Sequence, residues 1–186
     1  MPRGIGSPPW HTAAMDTRDP RDPQPDPPPQ QDPQDGAAVR FPPPFVYLIA
    51  VCVGGVLHAF VAPLPIGLSR MPRIALALVS AGAGFALVSS AMGRFRLTGQ
   101  DPKPWKSTPE IISSGVYRYT RNPMYVGMAL VQTSIGIGWG NGWILAFVPI
   151  VLVILYGVAV RHEEAYLERK FGDLYTRYKA SVRRWF

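Results

Sequence analysis

Apolar positions along this chain gather into four blocks, separated by polar and basic stretches. The first, residues 45–62, begins "FVYLIAVCVGGVLHAF" and stops at the helix-breaking Pro63 and Pro65. The second, residues 74–92, reads "IALALVSAGAGFALVSSAM"; the third covers residues 124–139; the fourth, residues 143–160, is "WILAFVPIVLVILYGVAV". A membrane-crossing helix needs about 20 residues, within a range of roughly 17–25, so the first, second and fourth blocks qualify on length. The third is short and carries Gln132, Thr133 and Ser134 near its middle, a pattern that suits a helix close to the membrane surface and buried against protein.

The connections refine this picture. "WGNGW" between the third and fourth blocks leaves room only for a helical hairpin. Ala77, Ala81, Gly82 and Gly84 are small residues that let the second helix approach another closely. In the tail, Leu167, Phe171, Leu174, Tyr178, Val182 and Trp185 recur at steps of three and four, predicting an amphipathic helix lying on the membrane or folded over the bundle. Gly172 predicts a break in it, with Asp173 capping the second piece. The expected fold is an all-α integral membrane protein with about four transmembrane helices, a C-terminal helical hairpin and an interfacial C-terminal helix over residues 161–186.

Composition adds a boundary. Residues 1–44 are rich in Pro, Asp and Gln, have almost nothing to bury, and read as a disordered tail ahead of a single membrane domain over residues 45–186. Nothing before Met15 reads as structural, so Met15 is a candidate start, and no apolar core follows the first arginine as a signal peptide requires. Of the 186 residues one is cysteine, Cys52, inside an apolar block, which excludes a disulfide framework.

The net charge of +7 sits mainly between and after the apolar blocks, where membrane proteins carry Lys and Arg, so it does not argue for nucleic acid. Arg94, Arg96, Lys103, Lys106, Arg118 and Arg121 lie between the second and third blocks; Arg161 through Arg184 follow the fourth. With four spans these sets share one face, which the charge rule makes cytoplasmic, together with both termini.

Candidate chemistry lies on that face. "YRYTRNPMYVG", residues 117–127, puts Asn122 and Pro123 where a helix takes its N-cap and first position, but that does not explain Tyr117, Tyr119, Arg121 and Tyr125 around them. Glu163 and Glu164 follow the last span; neighbours on a helix point about 100° apart, so they cannot share one solvent stripe. Ionisable groups at such depth point to function. Arginine at one end and carboxylates at the other suit a ligand of mixed charge, because Arg grips a carboxylate in fork geometry while Glu accepts from an ammonium. S-adenosylmethionine and a dinucleotide both answer that description. His58 and His162 lack the companions a metal site needs, so no metal is expected.

In order and spacing, "SGVYRYTRNPMYVG", the apolar hairpin, "HEE" and "ERKFGDLYTRYKASVRRW" make residues 95–185 resemble the isoprenylcysteine carboxyl methyltransferase family and the related membrane phospholipid methyltransferases. The resemblance implies a membrane enzyme that moves the methyl group of S-adenosylmethionine, leaving S-adenosylhomocysteine, onto a lipophilic small-molecule or lipid acceptor. It implies catalytic roles for Arg121, Glu163 and Glu164. It implies a cofactor pocket formed by them with Asn122, Pro123, Tyr125 and Gly127, and by Tyr117 and Tyr119 less directly. The carboxyl methyltransferases commonly have histidine where Asn122 stands, and many relatives have arginine at the position of Ser181, a role open here to Arg183 or Arg184. Acceptors left open are a prenylcysteine-like or isoprenoid carboxylate, a lipid amine, and a small hydrophobic alcohol or thiol. The competing readings are an NADPH-dependent membrane reductase of the sterol reductase type and a small membrane adaptor with no enzymatic activity.

Overall fold

A computed structural model describes residues 42–103, 106 and 108–185. The expected disordered tail lies outside the described residues except for Pro42, Pro43 and Pro44, as does Met15. Helix α1 (Pro44–Val56) starts on a proline, where a missing N–H costs nothing, and continues as a π turn, Leu57–Val61, that ends before Pro63. Helix α2 spans Arg70–Leu97 and α3 spans Pro123–Trp139. Helix α4 (Gly142–Leu155) runs through a second π turn, Tyr156–Val160, into α5 (Arg161–Phe171), and α6 (Asp173–Ser181) follows.

Three of these stretches, Pro44–Val61, Arg70–Leu97 and Gly142–Phe171, are long and apolar enough to cross a membrane. The described residues contain no strand, only isolated bridges. The chain is therefore an all-α integral membrane protein. Outward-facing Phe60, Leu78, Val79 and Val153 are exposed, as lipid-facing side chains are in a bundle whose solvent is hydrocarbon.

Packing follows the small residues. Helix α2 lies along α3, where a Cβ added to Gly84 would stand 2.7 Å from Gly127 O, and one added to Gly127 would stand 2.6 Å from Val88 Cγ2. These two glycines set the closest approach of the pair; Gly82 has open space around it. The polar middle of α3 bonds within protein, with Gln132 Oε1 left unpartnered among the described residues: Gln132 Nε2 donates to Ile144 O at 2.9 Å, Thr133 Oγ1 to Ala129 O at 2.8 Å and Ser134 Oγ to Val131 O at 2.7 Å. That is how a 17-residue helix carries polar groups at this depth.

The hairpin between α3 and α4 turns at Gly140, φ +75°, and is fixed by Asn141. This fully buried side chain accepts from Trp143 N at 3.0 Å and Ile144 N at 3.3 Å while donating to Gly54 O of α1 at 3.0 Å. It caps α4 and ties in α1 together. Asn141→Ala is expected to destabilise the bundle by about 1–3 kcal/mol, read as a lowered thermal midpoint in detergent.

The tail departs from its periodic reading. The chain breaks at Gly172, φ +53°, but that glycine occupies the cap position and Asp173 is the first residue of α6. The break resets the face that α6 presents inward, so Tyr175 is 2% exposed while Leu174 is 61% exposed. Of the expected stripe, Leu167, Phe171, Tyr178, Val182 and Trp185 are half-buried, and Leu174 alone is exposed.

Candidate functional site

The last residues described return to the start of α3. Thr120 and Arg183 form a parallel bridge, with Arg121 N donating to Arg183 O at 3.0 Å. Arg184 O accepts from Thr120 Oγ1 at 3.1 Å and from Asn122 Nδ2 at 3.0 Å. Asn122 therefore holds the N-cap position of α3 without capping by its side chain, which is spent on the returning segment. Pro123 stands at the first position, as its missing N–H favours.

This closure assembles a charged corner. Glu164 accepts from Arg184 Nε at 3.0 Å and Nη2 at 2.9 Å, in the paired geometry that guanidinium and carboxylate favour. Its Oε1 also lies 3.2 Å from Arg121 Nη2. The Arg184 guanidinium lies over the Tyr156 ring, 4.7 Å from its centre. Glu163, one residue earlier, looks elsewhere and accepts from Tyr125 OH at 2.5 Å. Tyr47 OH in turn donates to Tyr125 O at 2.7 Å, tying α1 to the same point. The two glutamates thus split as their helical spacing requires.

Beside the corner is a cavity of about 460 Å³, a volume typical of small-molecule sites. The end of α2, the loop after it, the start of α3, and both tail helices contribute to its wall. The Arg121 side chain is only 8% exposed, yet among the described residues no partner meets its Nε or Nη1. Buried donors left open like this are rare in folded proteins and point to a missing acceptor. Burial pushes the Tyr178 hydroxyl up to about 12 and holds those of Tyr117 and Tyr175 above the usual phenol range. All three remain protonated donors at neutral pH, and Tyr178 OH donates to Tyr117 O at 2.8 Å.

Of the residues singled out in the sequence, Tyr117, Arg121, Asn122, Pro123, Tyr125, Glu163 and Glu164 line this cavity. Tyr119 does not: it is 78% exposed and faces a shallow groove with Arg94 and Arg118. Gly127 lies at the α2–α3 crossing. Sequence reasoning missed Gln100 and Tyr175, both in the cavity wall. It named Arg184 only as a substitute for a missing arginine, whereas the structure makes it the main partner of Glu164.

The described residues thus form an integral membrane bundle with a cavity of mixed charge beside the Glu164 corner. The sequence profile of the phospholipid methyltransferase family matches residues 72–174, and the chain belongs to that family. It is 32% identical over 72 residues to the protein-S-isoprenylcysteine O-methyltransferase of Schizosaccharomyces pombe; that match covers 39% of this chain and 30% of the yeast protein. It is also 39% identical over 62 residues to an uncharacterized protein of Haemophilus influenzae, covering 33% of this chain and 98% of that protein. The matched region includes Thr120 to Tyr125, Tyr156, Glu163 and Glu164, and leaves out α1, most of α6 and the returning Arg183 and Arg184.

Proposed function

We propose that this protein is an S-adenosylmethionine-dependent methyltransferase that acts on a lipophilic acceptor at the membrane surface. The observation that carries this reading is the buried Arg121 guanidinium: its Nε and Nη1 meet no partner among the described residues, and Arg121 lines a cavity also walled by Glu163 and Tyr125. A ligand bearing a carboxylate and an ammonium on one carbon answers both: the carboxylate takes the open arginine donors, and Glu163 takes the ammonium. The remaining wall is largely apolar, as an adenosyl group and a lipid tail require.

When bound, S-adenosylmethionine supplies a methyl carbon made electrophilic by its sulfonium. The chain's own task is then positioning and exclusion of water. Arg121 holds and orients; Glu164 fixes Arg121 and Arg184 and is a positioning residue, since both its oxygens are already engaged. A carboxylate acceptor is already a nucleophile and needs no base. For a lipid amine, Glu163 is a carboxylate in the cavity wall that takes the proton. Basic residues of the 94–121 loop and the tail favour the cytoplasm for the corner, with α3 as the fourth crossing and both termini on that side.

The test is binding of S-adenosylhomocysteine to the detergent-purified protein by calorimetry. Saturable one-to-one binding is the expected result. A folded protein that gives no heat with S-adenosylhomocysteine and binds NADPH instead would replace this reading with the reductase one.

A further inference from the structure

The end of α2 carries a second open polar group that the charged corner does not use. After Leu97 the chain turns through Gly99, φ +67°, and Gln100 N donates to Phe95 O at 2.9 Å. Gln100 is 7% exposed and lines the cavity. Among the described residues neither its Oε1 nor its Nε2 meets a partner. A buried amide with both ends open is seldom kept in a folded protein without a reason.

In the same wall Asp101 pairs with Lys103, one Glu163 oxygen accepts from Tyr125, and Glu164 holds the two arginines. Gln100 and Arg121 are two separate sets of unpartnered polar atoms, on different elements, in residues that line one cavity. Their chemistry differs. Arg121 offers donors to an anion. The primary amide of Gln100 offers a donor and an acceptor side by side in one plane. That pair complements the edge of an aminopurine, whose exocyclic amine donates next to a ring nitrogen that accepts. Phe95 and Tyr117 line the same cavity, ring centres 6.2 Å apart and steeply tilted at 79°, and offer aromatic faces to a flat base. A hydrocarbon acceptor tail has no use for the amide.

We propose that Gln100 reads the adenine edge of the methyl donor and is a specificity-determining residue for the nucleoside. This rests on the methyl-donor reading above. It divides the cavity into an amino-acid end at Arg121 and a base end at Gln100.

The experiment is calorimetry on the full-length, detergent-purified protein with two ligands. One is S-adenosylhomocysteine; the other is its analogue with purine in place of adenine, lacking only the exocyclic amine. The wild type is expected to bind the analogue roughly tenfold more weakly or worse. Gln100→Leu is expected to weaken S-adenosylhomocysteine by a similar factor and to bind both ligands alike. Gln100→Glu keeps an acceptor for the amine and is expected to retain a preference at reduced affinity. If the wild type binds the two ligands equally, the assignment is overturned without recourse to any variant. It is also overturned if Gln100→Leu, with an unchanged thermal midpoint, keeps the wild-type affinity and preference. Absence of S-adenosylhomocysteine binding to the wild type removes the methyl-donor reading and this one with it, whereas binding without discrimination removes this one alone.

Discussion

Arg121→Met is expected to weaken S-adenosylhomocysteine binding by about a hundredfold or more while leaving the thermal midpoint in detergent nearly unchanged. Truncating one side of a buried, charge-assisted contact costs about 2–5 kcal/mol, mostly because the partner is left without a counter-charge. In the free protein that penalty is small, since Glu164 keeps both bonds from Arg184, at 3.0 and 2.9 Å. In the complex it falls on the ligand carboxylate. Calorimetry and a melting curve on the same preparation separate the two. A midpoint that drops while affinity holds would make Arg121 a structural residue and take away the observation on which the functional reading stands.

Glu164→Gln is expected to do the opposite in kind and to damage both properties. The carboxylate is the shared counter-charge of two guanidiniums, one of which, Arg121, is 8% exposed in its side chain. Removing it leaves two cations against a neutral amide. For a fully buried pair the cost of such a removal is about 3–5 kcal/mol. Because the Arg184 side chain is 33% exposed, solvent relieves part of this, and about 2–3 kcal/mol is the expected loss. Both the midpoint and ligand affinity should fall, since Arg121 loses the group that orients it. A midpoint equal to that of the wild type would show that the corner is held by the Thr120, Asn122 and Arg183 backbone contacts alone.

These two residues also show how much could be read in the chain beforehand. The α-helical blocks, the hairpin at Gly140 and Asn141, and the divergence of Glu163 from Glu164 follow from spacing, because each depends on neighbours within a few positions. The charged corner depends on contacts between residues more than 60 positions apart, such as Asn122 Nδ2 to Arg184 O. Local rules assign Asn122 to helix capping, and nothing nearby in the chain says that its side chain is claimed elsewhere. The tail stripe misplaces Leu174 and misses Tyr175 for a related reason: α6 restarts at a glycine with φ +53°, which periodicity counted straight through does not register. Gln100, next to a Thr-Gly turn, has the local signature of a solvated loop. Only enclosure by α2, the loop before α3 and the tail helices reveals its burial.

The backbone contacts from Arg183 and Arg184 to the start of α3 have a consequence for how the protein comes into being. The segment that supplies them follows the three membrane-crossing stretches of the described residues along the chain. The proposed ligand site therefore cannot close until that segment has been made. Premature termination or proteolytic trimming just past Ser181 would leave an inserted helical bundle with an unfinished site.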